Sequence, residues 1–182
     1  MDQNNSQRRR ASAILGALLY LWAFLTLLSC NISDQSASPA GYLIYSTSFE
    51  DSTDLKEWRG HGGYDRYAGG SPNGGKFSLY VAGGCIVPHA QIDLPPLRER
   101  SALILRCWGR RVVDGGSVTL SIIGPASAPS AHLVIADSVW KHYSTEKIVC
   151  PENAHPQIAL MAGGIKAASM LVDNIEVLVI DE

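Results

Sequence analysis

Apolar and polar residues alternate in short stretches along most of this chain. Over residues 117–123, Val118, Leu120 and Ile122 fall on one face of an extended segment, and Ser117, Thr119 and Ser121 on the other. A period of two marks a half-buried strand. Leu103, Leu105 and Cys107 share a face opposite Ile104, Arg106 and Trp108. Near the C-terminus Ile175, Val177 and Val179 alternate with Glu176, Leu178 and Ile180. The same pattern predicts strands over 42–49, 77–82, 85–92, 131–136, 141–149, 157–162 and 169–173. Glycine pairs at 62–63, 69–70, 74–75, 83–84, 115–116 and 163–164 punctuate them, where a backbone without Cβ can turn or bulge. No amphipathic helix is expected after residue 41. Many short strands with glycine turns predict an all-β sandwich, and the lack of an internal repeat argues against a propeller or solenoid.

The first thirty residues follow another pattern. Arg8, Arg9 and Arg10 precede an uncharged, mostly apolar run of 18 residues from Ala11 to Leu28, which closes on Ser29 and Cys30. A positive flank, an apolar core and a small residue before a cut site make a secretory signal. The competing reading, a permanent membrane helix, needs roughly 20 apolar residues and is the weaker one. Leu27, Leu28, Ser29 and Cys30 resemble the lipobox of bacterial lipoproteins. The resemblance implies cleavage between Ser29 and Cys30, acylation of the Cys30 thiol and of the new amino group, and hence a membrane partner. Several acyl chains anchor stably where one does not. Asn31 stands where an aspartate would imply retention in the inner membrane, so the expected location is the outer membrane, on a side left open. Residues 31–41 are small, polar and broken by Pro39, a tether that as a flexible coil reaches roughly 20 Å. The expected organisation is therefore a signal peptide at 1–29, a lipidated cysteine and tether at 30–41, and a sandwich domain at 42–182.

The chain has 182 residues and a net charge of −2. The part after the signal is a single domain of about 140 residues, large enough to fold without heavy cross-linking. The first 29 residues hold three arginines and one aspartate, so the remainder is more acidic, near −4. With no basic stripe, it is not expected to bind nucleic acid.

Three places in the body resemble the jelly-roll carbohydrate-binding modules of the galactose-binding-like superfamily, especially those attached to xylanases and glucanases. Ser48, Phe49, Glu50 and Asp51, followed by Trp58, resemble the opening strand. Gly75 to Val81 resembles the second strand with its glycine-rich lead-in. Trp140 to Tyr143, then Cys150 and Pro151, then Val172 to Val177 resemble the closing half. Together they span about residues 44–180. The resemblance implies a jelly-roll β-sandwich and a structural calcium held by Glu50 and Asp173, with a carbonyl from the Lys76 region. Hard oxygen ligands suit that ion. It also implies a glycan or cell-wall polymer as partner. Sugars need a flat ring surface and polar groups for their hydroxyls. Trp108 and Arg106 share one strand face, Trp58, Tyr64 and Tyr67 lie in or beside a long loop at 51–75, and His89 and Arg110 complete the candidates. Trp140 is expected in the core.

Other chemistry fits poorly. Residues 70–76 approach a phosphate-binding loop, but Phe77 replaces the required hydroxyl and a strand follows where a helix must start. The five histidines lack metal-ligand spacing, and no nucleophile elbow occurs. Glu50, Asp51, Asp54 and Glu57 cluster in a polar turn, with no sign of the paired carboxylates of a glycosidase. A non-enzyme is expected. Cys85, Cys107 and Cys150 allow three single disulfide pairings or buried free thiols, and export permits either. Two functions fit: a lipid-anchored, non-catalytic carbohydrate-binding module of the cell envelope, or a structural lipoprotein that docks an envelope protein through the same sandwich.

Overall fold

The computed structural model describes residues 41–180, except 62, 84–87, 126 and 164–167. The signal segment, Cys30, the tether and Cys85 lie outside the described residues. The strands in chain order are β1 (Gly41–Thr47), β2 (Tyr64–Ala68), β3 (Phe77–Gly83), β4 (Ala90–Asp93), β5 (Ser101–Val113), β6 (Gly116–Ile122), β7 (Ser130–Ile135), β8 (Lys141–Ser144), β9 (Ile148–Cys150), β10 (Pro156–Ala162) and β11 (Ala168–Ile180). A short 3-10 turn, Ser52–Leu55, follows β1 and is capped by the Asp51 carboxylate. Among the described residues no helix is long and apolar enough to cross a membrane.

The strands form two antiparallel sheets. The first runs β2-β3-β11-β5-β8, with β1 against the C-terminal half of β11 and β9 against the start of β5. The second runs β4-β10-β6-β7. The alternating apolar positions meet between the sheets. Leu79, Val81, Leu103, Leu105, Cys107, Met170, Val172, Ile175 and Val177 come from the first, and Ile92, Val118, Leu120, Leu133, Ile135, Ile158 and Leu160 from the second. All of these are at most 5% exposed, so one continuous core joins the sheets. This is the expected all-β jelly-roll sandwich.

β11 differs from expectation. The segments predicted at 169–173 and 175–180 are one strand of 13 residues, interrupted by a bulge. The pairing with β5 shifts register between Asp173 and Glu176, and Asn174 has φ of 45°. Asparagine is among the few non-glycine residues that tolerate this left-handed backbone. The extra residue changes the phase: Met170 and Val172 point inward before it, Ile175 and Val177 after it. The opposite happens at 141–149, predicted as one strand and found as β8 and β9. There Thr145 breaks the ladder, its hydroxyl accepting from Leu105 N–H at 3.0 Å while its own N–H donates to Leu105 O at 2.9 Å. The loop expected at 51–75 contains β2, which the sequence reading missed.

Two cysteines expected as candidates for a disulfide, Cys107 and Cys150, are free and buried. Cys107 lies within β5, facing Tyr143 on β8, whereas Cys150 on β9 faces Ser101 at the start of β5. Burial pushes their thiols up to about 12 and about 11 respectively.

Candidate functional site

The side of the first sheet that faces away from the core carries cross-strand rows of large side chains. Arg110 pairs with Leu171, Leu171 with Tyr80, and Tyr80 with Asp65. In the next row Trp108 lies between Asp173 and His142. Then Arg106 lies between Glu176 and Ser144, with Ser46 beyond Glu176. The last row is aliphatic, with Ile104, Leu178 and Leu43. Because strands stand about 4.8 Å apart, neighbouring rings in a row reach one another. The Trp108 and His142 rings, paired in one row, are 5.5 Å apart, and the Tyr67 and Tyr80 rings, diagonal to one another because Tyr67 pairs with Ser78, are 6.1 Å apart. The Arg110 guanidinium sits 5.6 Å from the centre of the Trp140 ring.

Four of the sequence-predicted ligand residues, Tyr67, Arg106, Trp108 and Arg110, therefore gather on this face. Three do not. Trp58 is 4% exposed and packs on Phe49 with ring centroids 6.1 Å apart, so it is a core side chain with no free ring face. Tyr64 pairs with Val81 on the inward side, and its hydroxyl donates to Trp58 O at 3.1 Å. His89 is 5% exposed, and its Nδ1 accepts from Ala162 N–H at 3.3 Å. Desolvation lowers its pKa below the ordinary 6.5. The expectation for Trp140 is corrected in the other direction: it is half-buried, not core, and keeps company with Arg110. Tyr80, His142 and Glu176 were missed. Their alternation was legible, but which side of each strand looks outward was not.

The three residues expected at a metal come together beneath the glycine-rich loop. Glu50 Oε1 accepts from the N–H groups of Lys76 and Phe77 at 2.8 and 2.7 Å. Asp173 Oδ2 accepts from Ser71 N–H at 2.8 Å, and Oδ1 from Asn174 N–H at 2.7 Å. The loop lies across Asp173, which points away from the core yet is wholly buried. Burial raises the Asp173 pKa above the usual carboxylate value and the nearby Glu50 charge adds to this, against the hydrogen bonds from Ser71 and Asn174. The Ser71 hydroxyl is buried beside it without a well-formed hydrogen bond. Lys76 enters differently from expectation: its amide donates to Glu50, and its carbonyl already accepts from Gly69 N–H at 2.8 Å.

The cradle has no room for side chains. A Cβ on Gly74 would lie 1.9 Å from Asp173 Oδ2, and one on Gly75, at φ of 87°, 2.6 Å from Glu50 Cδ. Two carboxylates and the Ser71 hydroxyl supply hard oxygens of the kind calcium takes, with Glu50 Oε1 and both Asp173 oxygens already accepting backbone N–H bonds. Among the described residues no third Asp, Glu, His or Cys joins them, so neutral oxygens would have to complete the coordination.

No family model matches the sequence, and neither does any curated protein. Solved structures do match. The CBM22-1 xylan-binding domain of Paenibacillus barcinonensis Xyn10C superposes with a TM-score of 0.57 at 17% identity, over 80% of this chain and 99% of its own. The fold is the jelly roll that these modules adopt. A family 16 carbohydrate-binding module gives a TM-score of 0.53 at 17% identity, covering 75% of this chain and 99% of the module. The CBM22-1–GH10 modules of Clostridium thermocellum xylanase 10B, solved with xylohexaose, give 0.57 at 12% identity. This jelly roll spans 77% of the present chain but 29% of that larger protein. At these identities the likeness is one of fold.

Proposed function

We propose that the outward face of the first sheet binds a glycan, and that the domain is a non-catalytic binding module. The observation that carries this reading is the convergence of Tyr67, Tyr80, Trp108 and Trp140 with Arg106 and Arg110 on one sheet face. Aromatic rings take the C–H face of a sugar, and guanidinium and carboxylate groups take its hydroxyls. The alternative, docking of an envelope protein, calls for a contiguous aliphatic patch. The exposed aliphatics are instead spread over several elements: Val134 and Ile123 on or beside the second sheet, Val112 and Val113 at the end of β5, Leu43 on β1 and Val139 before β8.

In this reading calcium is held by Glu50 and Asp173 and stiffens the loop that borders the face. Cys30 carries the lipid, and the domain stands close to the outer membrane, where a cell-wall polymer or other glycan is within reach.

Affinity electrophoresis of residues 41–182, which contain both sheets and the whole core, tests the central claim. The gels contain soluble polysaccharides or peptidoglycan fragments, each with calcium and with a chelator. Retardation by a polymer, lost in Trp108→Ala and kept in Lys56→Ala, is the expected result. A folded domain that no polymer retards would overturn it.

A further inference from the structure

The charge on the aromatic face is unevenly compensated. Arg106 has Glu176 beside it in register, and Lys141, at the edge of the sheet, is paired with Asp137 at 3.3 Å. Arg110 has no such partner: among the described residues no Asp or Glu oxygen lies within 4.0 Å of its guanidinium. Its side chain is half-buried, and its Nε is fully buried without an acceptor. The carboxylate nearest along the neighbouring strand, Asp173, is buried and accepts from Ser71 and Asn174 instead. Asp65 is at the far end of the Arg110 row, beyond Leu171 and Tyr80. What Arg110 does have is the Trp140 ring on one side and the Tyr67–Tyr80 pair across the row.

We propose that this face selects an acidic glycan, one whose sugar carries a carboxylate, and that Arg110 is the residue that recognises it. This rests on the glycan-binding reading above. A partly desolvated cation without a counter-ion gains most from a ligand that brings the missing charge. A sugar hydroxyl offers one neutral acceptor, whereas a carboxylate offers two charged oxygens that match the two terminal N–H groups of the fork. The Trp140 ring, 5.6 Å from the guanidinium carbon, supports it by cation–π attraction. A uronate whose ring stacks on Trp108 or Tyr80 places its carboxylate on the same surface as Arg110. The residue thereby sets specificity, and the rings supply affinity that does not depend on charge.

The test is titration of residues 41–182, followed by tryptophan fluorescence and calorimetry, with polygalacturonate, alginate, glucuronoxylan and hyaluronan. Each polymer is paired with its carboxyl-reduced, neutral counterpart. The expected result is a preference of about tenfold or more for one acidic polymer over its reduced form. Raising salt from roughly 50 to 500 mM weakens that preference. Arg110→Gln abolishes it, bringing the affinity for the acidic polymer down to that for its reduced form, and Arg110→Lys retains part of it. Thermal unfolding of each variant verifies that the fold is intact. Equal or tighter binding of the neutral forms, unchanged in Arg110→Gln, overturns the acidic class and leaves the glycan face standing. Binding of no polymer in either form by the folded domain overturns both readings.

Discussion

Gly74→Ala separates the close-packed cradle from an ordinary surface loop. The added carbon would stand 1.9 Å from Asp173 Oδ2 and 2.4 Å from Ser71 Oγ, and a Cβ has no rotamer with which to evade them. The turn that Gly74 N–H closes onto Ser71 O at 3.0 Å must then move, and the Ser71 N–H bond to Asp173 moves with it. A hydrogen bond to a charged group contributes about 1.5–3 kcal/mol, and stripping a buried carboxylate of a donor adds to the loss, so about 2–4 kcal/mol is expected. In a domain of this size each kcal/mol moves Tm by roughly 2–5 °C, which predicts a fall of about 5–15 °C. Gly124→Ala is the control, because nothing lies within 4 Å of the carbon it would add. It should stay within about 0.5 kcal/mol of wild type. Calorimetric unfolding of the two variants, with calcium and with a chelator, reads both effects. Calcium should raise the Tm of wild type and of Gly124→Ala but not of Gly74→Ala. Coincident melting of the two variants, within about 2 °C, would refute the geometry of the cradle.

Three further outcomes follow from burial. Trp58→Ala should cost about 3–5 kcal/mol in urea denaturation, as expected for an aromatic ring removed from a core; a neutral effect would return Trp58 to the list of ligand residues. Desolvation lowers the His89 pKa, so the unfolded chain takes up its proton before the folded one as pH falls below about 6.5. Its contribution is fully present above that pH and is lost as pH falls towards its lower folded value. Between about pH 5 and 8 the stability difference between wild type and His89→Gln should therefore change in that direction, and a pH-independent difference would contradict it. In a Cys85→Ser background, Ellman's reagent should find no reactive thiol in the native domain and two in guanidinium, because Cys107 and Cys150 are buried with raised pKa values.

The parts legible in the sequence were those governed by strict alternation. Ser117 to Ile122 and Leu103 to Trp108 gave their strands and the division of faces, because period two leaves little freedom once one side is apolar. Alternation does not say whether the second face meets solvent, a ligand or another layer. Trp140 and Trp58 were therefore assigned the wrong way round relative to one another: the tryptophan assigned to the core lies half-buried beside Arg110, and the one offered as a platform packs on Phe49. β2 escaped notice because Tyr64 to Ala68 is short and mostly polar on both sides. The metal residues were named through family likeness. Glu50 and Asp173 are 123 positions apart, and no local pattern could bring them under one loop.

The bulge at Asn174 has a consequence for how this domain can vary. β11 is read in two frames, one on each side of a single residue. Deleting Asn174 would leave Asp173 and Glu176 two positions apart, matching the step from Trp108 to Arg106 on β5, so the frames would merge with Ile175 and Val177 still inward and Glu176 still outward. What that loss would change is the bend: the left-handed turn at Asn174 and the N–H it gives to Asp173 Oδ1 would go. The division of β11 into a core face and an outward face therefore survives without the extra residue, whereas the seat of the Asp173 carboxylate depends on it.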